Sequence, residues 1–139
     1  MSRGPLERLR IGRELYEAMV ADLARVAPLE GCGLIATEGD RAVKLYPGEN
    51  IERSRVRYTM DPRAVLLALL EIEAAGWRLG AIYHSHPEGP AHPSPTDLRE
   101  ARVPDALAVI VSLADPAAPV AAAFALDEGA PREVPLLID

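Results

Sequence analysis

Residues 79–87 read Leu-Gly-Ala-Ile-Tyr-His-Ser-His-Pro, an apolar run that ends in two histidines. The apolar part predicts a buried strand over residues 79–83. Because side chains two positions apart in a strand point to the same face, His84 and His86 can converge on one ion while Ser85 points away. Two neutral imidazoles, one carboxylate and an open fourth position form the ligand set of a catalytic zinc site. This stretch therefore makes metal-assisted hydrolysis the leading hypothesis.

Helical and strand patterns alternate on both sides of this stretch. A stripe of apolar side chains predicts a helix over 11–26. Asp61-Pro62 predicts a second helix, with Asp61 as its N-cap and its end near Gly76. Apolar or alternating runs predict strands at 33–37, 42–46, 56–60, 79–83, 107–113 and 120–126, with a last edge strand at 134–138 limited by Pro135. The fold class expected is α/β in the α+β sense, a single mixed β-sheet with helices packed on it.

Size, charge and cysteine content exclude several classes of protein. The 139 residues show no break in composition, so we expect a single domain over 1–139. The net charge of −6, with arginines scattered along the chain, argues against nucleic acid as a partner. No apolar run is long enough to span a membrane, and the N-terminus does not resemble a secretory signal. A single cysteine allows no intrachain disulfide, so a reducing, cytoplasmic location is expected.

The segment Ser94-Pro95-Thr96-Asp97 has two interpretations. It fits the start of a helix, with Ser94 as N-cap, a proline at the first position and an acidic residue at the third. The same spacing places Ser94 and Asp97 on one side of a helical turn, where Asp97 could join the histidines as a ligand. A capping role and a ligand role are compatible, so the sequence leaves both open.

Taken together, these residues resemble the motif of the JAMM (MPN-plus) metalloproteases. In this motif His84-Ser85-His86-Pro87 precedes Ser94-x-x-Asp97, and the seven residues 87–93 separate His86 from Ser94. It also includes an upstream glutamate, and Glu30 stands in that place within Pro-Leu-Glu-Gly-Cys-Gly at 28–33. Asn50 and the segment 57–62 are similar to the compact prokaryotic branch. The resemblance covers residues 11–126 and implies an MPN/JAMM-type fold with a cytidine-deaminase-like architecture.

The resemblance also implies roles for five residues. His84, His86 and Asp97 would bind Zn²⁺, Glu30 would act as general base on the zinc-activated water, and Ser94 would donate a hydrogen bond to the developing oxyanion. The implied activity is a zinc metalloprotease or isopeptidase that hydrolyses the bond after the Gly-Gly tail of a small ubiquitin-like sulfur-carrier protein. The implied partner is that carrier or its conjugates.

Two other classes of function remain open. One is a non-enzymatic MPN scaffold, although such members typically lose motif residues that are all present here. The other is a deaminase-like zinc hydrolase acting on a small molecule, but such sites usually use a Cys-x-x-Cys pair, which one cysteine cannot supply. Cys32, at the start of an apolar strand, is expected to be a small apolar filler. His92, in the Pro-rich loop, is expected to be structural or exposed.

Overall fold

The computed structural model describes residues 4–101, 103–126 and 130–139. In these ranges eight strands form one sheet in the order β7-β6-β5-β4-β2-β3-β1-β8, and three helices accompany it. The elements along the chain are β1 (Leu9–Ile11), α1 (Arg13–Val26), β2 (Cys32–Glu38), β3 (Arg41–Gly48), α2 (Pro62–Ala74), β4 (Arg78–His86), α3 (Pro95–Glu100), β5 (Leu107–Ser112), β6 (Val120–Ala125), β7 (Arg132–Val134) and β8 (Leu136–Ile138).

The sheet is mixed, as the sequence predicted. Strand β4, which carries both histidines, runs antiparallel to β2 on one side and parallel to β5 on the other. β2 and β3, which contain the strands predicted at 33–37 and 42–46, form a hairpin, and β5, β6 and β7 continue the sheet in antiparallel fashion. β1 pairs in parallel with both β3 and β8. The histidines therefore end a strand that is flanked on both sides, which fixes the direction of their side chains.

Two hydrophobic clusters fill the two faces of the sheet. Alternate residues of β2 and β4, among them Ile35 and Tyr83, pack with Met19 and Leu23 of α1. The intervening residues, such as Leu34, pack toward α2. This alternation places the His84 side chain on the α2 face and the Ser85 side chain on the α1 face.

Tyr83 requires a glycine on the neighbouring strand. It pairs with Gly33 across β2 and β4. A Cβ atom added at Gly33 would lie 2.2 Å from the Tyr83 Cζ atom. Only glycine leaves space for the aromatic ring at this position.

The helices begin where their capping residues predict. The Asp61 side chain accepts a hydrogen bond from the Arg63 N–H at 3.1 Å, and Pro62 occupies the first helical position of α2. α2 ends at Ala74, just before Gly76, whose φ of +75° is one that glycine adopts readily. Helix α1 starts at Arg13 rather than at Ile11, because Ile11 belongs to β1 and is fully buried there. None of the helices in the described ranges is long and apolar enough to cross a membrane.

Two strand predictions differ from the structure. The strand predicted at 56–60 is wrong, because an isolated bridge between Asn50 and Met60 takes its place. The backbone of this segment is hydrogen-bonded to the Asn50 side chain rather than to a neighbouring strand. The single edge strand predicted at 134–138 is instead two short strands separated by Pro135. β7 lies at one edge of the sheet and β8 at the other, and the Leu9 N–H donates to the Pro135 carbonyl between them at 3.0 Å.

Candidate metal centre and active site

His84, His86 and Asp97 meet at the carboxyl end of β4. The Nε2 atoms of the two imidazoles lie 3.2 Å apart. The Asp97 carboxylate faces both, with Oδ1 3.2 Å from the His84 Nε2 and Oδ2 3.0 Å from the His86 Nε2. All three side chains are buried, with at most 8% of each exposed. Among the described residues, these three form a group with one ligand atom each within 4.8 Å of the others.

The chemistry of this donor set fits a divalent transition metal such as zinc. Burial lowers the pKa of His84, which favours its neutral, metal-binding form. Burial raises the pKa of Asp97, but the hydrogen bonds from His84 and His86 outweigh it and hold that pKa well below its usual range. Burial also lowers the pKa of His86, and its contacts with Asp97 and the Pro90 carbonyl outweigh this and raise it. Two imidazole nitrogens and one ionised carboxylate oxygen are the ligand types found at zinc sites with an open position.

The two imidazoles are oriented in different ways. The His86 Nδ1 lies 2.7 Å from the Pro90 carbonyl oxygen, which can only accept, so Nδ1 carries a proton. In the neutral imidazole the lone pair is then on Nε2, the nitrogen that faces His84 and Asp97. The His84 Nδ1 is buried and has no hydrogen-bond partner in the described structure. Instead, the Tyr58 ring stacks on the His84 ring, with centroids 4.7 Å apart and an interplanar angle of 28°.

Ser94 and Asp97 form a capping box and also lie at the candidate metal centre. The Ser94 Oγ accepts from the Asp97 N–H at 3.1 Å, and the Asp97 Oδ2 accepts from the Ser94 N–H at 2.9 Å. The same carboxylate contacts both imidazoles, so helix capping and a place beside the histidines coexist in one residue. Because the Ser94 hydroxyl acts as an acceptor in the cap, its own proton is left to donate elsewhere.

Glu30 is a buried carboxyl group separated from the start of β2 by Gly31. Only 3% of the residue is exposed, and its Oε1 has no hydrogen-bond partner. Burial raises the pKa of Glu30 from 4.5 to about 7, opposed by the charge of His86 and reinforced by that of Asp97. A carboxyl group with such a pKa can both accept and release a proton near neutral pH.

Two residues that sequence reasoning did not assign to the site hold the backbone around Glu30. The Ser85 Oγ accepts from the Gly31 N–H at 2.8 Å, so the residue between the two histidines ties β4 to the start of β2. The Asn50 Nδ2 donates to the Glu30 carbonyl at 3.0 Å and to the Arg57 carbonyl at 3.1 Å. The sequence shows Asn50 only as part of the family resemblance, because its burial depends on the folded course of residues 50–60.

Cys32 and His92 lie outside the group of three ligands. Cys32 is fully buried opposite His84, and burial raises the pKa of its thiol to about 12, so it is not a nucleophile at neutral pH. The exposed His92 packs edge-on against Phe124, with ring centroids 5.3 Å apart. Both placements agree with the structural roles expected from the sequence.

A largely apolar cavity opens beside the candidate metal centre. Its volume is about 500 Å³, and His84 and Asp97 form part of its wall. Leu34, Met60 and Leu69 line the apolar side. The cavity gives the buried ligands an approach from the α2 face of the sheet.

Comparison with known proteins places this chain in a family. A model of that family, described as prokaryotic homologs of the JAB domain, matches residues 12–126. The chain belongs to this family, which confirms the resemblance seen in the sequence.

Its relatives include named peptidases. Over 96 residues it is 49% identical to a probable TtuB-protein conjugate cleaving protease of Thermus thermophilus, a match that spans 68% of this chain and 64% of that protein. Over 138 residues it is 37% identical to the CysO-cysteine peptidase of Mycobacterium tuberculosis, which covers 98% of this chain and 94% of the relative.

Solved structures agree on the fold. A solution structure of a protein from Desulfitobacterium hafniense has a TM-score of 0.85 and 32% identity, covering 94% of this chain and 92% of the other. A JAB1/MPN domain protein from Archaeoglobus fulgidus has a TM-score of 0.59 at 17% identity, covering 94% and 98% of the two chains. At that identity the second similarity concerns the fold alone.

Proposed function

We propose that this chain is a cytoplasmic, single-domain zinc peptidase that hydrolyses the bond after the Gly-Gly tail of a small ubiquitin-like sulfur-carrier protein. The observation that carries the proposal is the buried group of His84, His86 and Asp97, with the buried carboxyl group of Glu30 close enough for the charges of His86 and Asp97 to affect its pKa. Two relatives support the substrate class, since one is named for cleaving protein conjugates of TtuB and the other for peptidase action on CysO-cysteine.

In this proposal His84, His86 and Asp97 would hold Zn²⁺, since the two Nε2 atoms and the carboxylate face one another. When bound, the ion supplies the Lewis acidity that activates water and stabilises negative charge on the carbonyl oxygen. His86 is fixed in the required tautomer by its Nδ1–H bond to Pro90. Asp97 is held in place by the Ser94 N–H, so the start of α3 positions the third ligand.

Glu30 and Ser94 supply the remaining chemistry. Glu30 takes a proton from the attacking water and passes it to the leaving amine, a task suited to a pKa of about 7. The Ser94 hydroxyl, whose oxygen accepts the Asp97 N–H, directs its proton toward the oxygen on which charge develops. A single donor of this kind is worth about 100-fold or more in rate in other hydrolases.

The experiment is cleavage of a carrier fusion that ends in Gly-Gly before the scissile bond. We expect cleavage by the zinc-loaded protein, loss with chelator, and recovery when zinc is added back. Glu30→Ala should abolish cleavage, whereas Glu38→Ala, an exposed carboxylate at the other end of β2, should not. A matched fusion ending in Ala-Ala should be cut poorly.

Three results would contradict the proposal. The first is cleavage that survives chelation or Glu30→Ala, which would place the chemistry elsewhere. The second is a protein that binds about one zinc per chain but cuts no Gly-Gly fusion, which would favour a hydrolase of another substrate class. A chain that neither binds zinc nor cuts would point to the non-enzymatic scaffold.

A further inference from the structure

The His84 imidazole lacks the hydrogen bond that usually orients a metal ligand. A histidine that binds a metal through one nitrogen normally donates from the other to a carbonyl or carboxylate, which fixes the rotation of its ring. His86 follows this rule through Pro90. His84 does not, because its buried Nδ1 has no partner in the described structure. Its orientation therefore depends on the contacts of Nε2 and on the packing of the ring itself.

Tyr58 supplies that packing contact. Its ring lies nearly parallel to the His84 ring, with centroids 4.7 Å apart and an angle of 28° between the planes. The His86 ring meets the same imidazole at 62°, with centroids 5.0 Å apart. Rotation of His84 about its Cβ–Cγ bond would drive the imidazole edge into the tyrosine face, so the stack restricts the ring to its observed plane.

The position of Tyr58 is itself fixed by Asn50. The Asn50 Nδ2 donates to the carbonyl of Arg57 at 3.1 Å, and its Oδ1 accepts from the N–H of Thr59 at 3.2 Å. These bonds hold the backbone on both sides of Tyr58. The tyrosine side chain also packs against the cluster that contains Cys32, Leu34 and Met60. The ring is thus anchored to the sheet and not to a free loop.

We propose that Tyr58 is a positioning residue that holds the His84 imidazole with its Nε2 facing His86 and Asp97. The inference rests on the proposed function in that these three residues bind a metal. The stack uses the face of the ring and not the hydroxyl group. Phenylalanine at this position should therefore preserve it, whereas an aliphatic side chain of similar volume should not.

The test is the zinc affinity of the full chain, measured by competition with a chromophoric chelator. Tyr58→Leu should weaken zinc binding on the order of tenfold, the lower end of the effect seen when an orienting contact of a ligand is lost. Tyr58→Phe should stay close to wild type. Tyr46→Leu is the matched control, because Tyr46 packs against the same hydrophobic cluster but bonds to Glu71 rather than to a histidine.

A spectrum separates positioning from general stability. When Co²⁺ replaces zinc, its visible absorption reports the geometry of the ligands, so Tyr58→Leu should change the band shape while Tyr46→Leu and Tyr58→Phe leave it unchanged. In the zinc-loaded wild type, nuclear Overhauser contacts should connect the Tyr58 and His84 ring protons. This last measurement does not depend on any variant folding.

Distinct outcomes overturn the inference and the proposed function. The role of Tyr58 would be rejected if Tyr58→Leu kept wild-type zinc affinity, or if Tyr46→Leu or Tyr58→Phe lost as much affinity as Tyr58→Leu. It would also be rejected if the ring contacts were absent. Each of these results would leave a zinc peptidase in place. A wild-type chain that binds no zinc would remove both.

Discussion

Glu30→Gln should stabilise the metal-free protein at alkaline pH while removing the proposed peptidase activity. Glu30 is 3% exposed and its Oε1 is unpaired, and burial raises its pKa from 4.5 to about 7. A rise of this size corresponds to about 3 kcal/mol of unfavourable folding free energy once the group is ionised. Because the pKa in the folded state is the higher one, this penalty is absent below pH 4.5, grows as the pH rises toward 7, and is complete above it.

The amide of glutamine must also be buried, so the net gain should be about 1–3 kcal/mol at pH 8 and close to zero at pH 4.5. The measurement is urea denaturation of the chelator-treated protein at both pH values. Glu17→Gln, which changes an exposed carboxylate on α1, is the control and should show no such pH-dependent gain. The reasoning is refuted if Glu30→Gln and wild type differ by the same amount at both pH values. A confirmed gain would show that the proposed general base is kept at a cost in stability.

Three further predictions concern residues around the site. Gly33→Ala should lower the free energy of unfolding by about 1–3 kcal/mol, because its Cβ would overlap the Tyr83 ring on β4. Gly89→Ala, which meets only ordinary contacts at 3.9 Å, is the control and should be nearly neutral in thermal melts. Cys32 should not react with a thiol reagent at pH 8 until denaturant is added, after which one thiol per chain should titrate; rapid reaction of the native protein would contradict its burial. Asn50→Ala should cost roughly 2–4 kcal/mol in urea denaturation, because several backbone groups lose a buried partner, and a loss below 1 kcal/mol would count against that network.

Local signals account for most of what the sequence predicted correctly. Asp61-Pro62 begins α2, and Ser94 with Asp97 begins α3, because capping depends on residues three positions apart or fewer. The buried strand before His84 follows from its apolar run and ends with both histidines on one sheet face. The contact of Asp97 with both imidazoles was expected from the family motif, and the structure brings the three together.

What the sequence did not predict depends on contacts between distant residues. Strand β1 has only three residues, and its pairing with Arg41 and with β8 has no local signature. The segment at 56–60 alternates like a strand, but its backbone is hydrogen-bonded to the side chain of Asn50. Asn50 lies outside the segment, so the alternation pattern does not reveal this contact. The stack of Tyr58 on His84 could not be foreseen for the same reason, since it depends on that loop.

The split at Pro135 has a consequence for how the chain acquires its sheet. Leu9 pairs with Leu136, so residues from the two ends of the sequence must meet before β1 is flanked on both sides. These contacts close a loop of nearly the full described chain, so their loop-closure entropy cost is high and they should form late in folding. During synthesis, β6 and β1 would each present an open edge to other chains until 132–138 has left the ribosome. Once paired, those seven residues cover both edges and should lower the tendency of the folded chain to associate edge to edge, although they lie at the far edges of the sheet from the histidines.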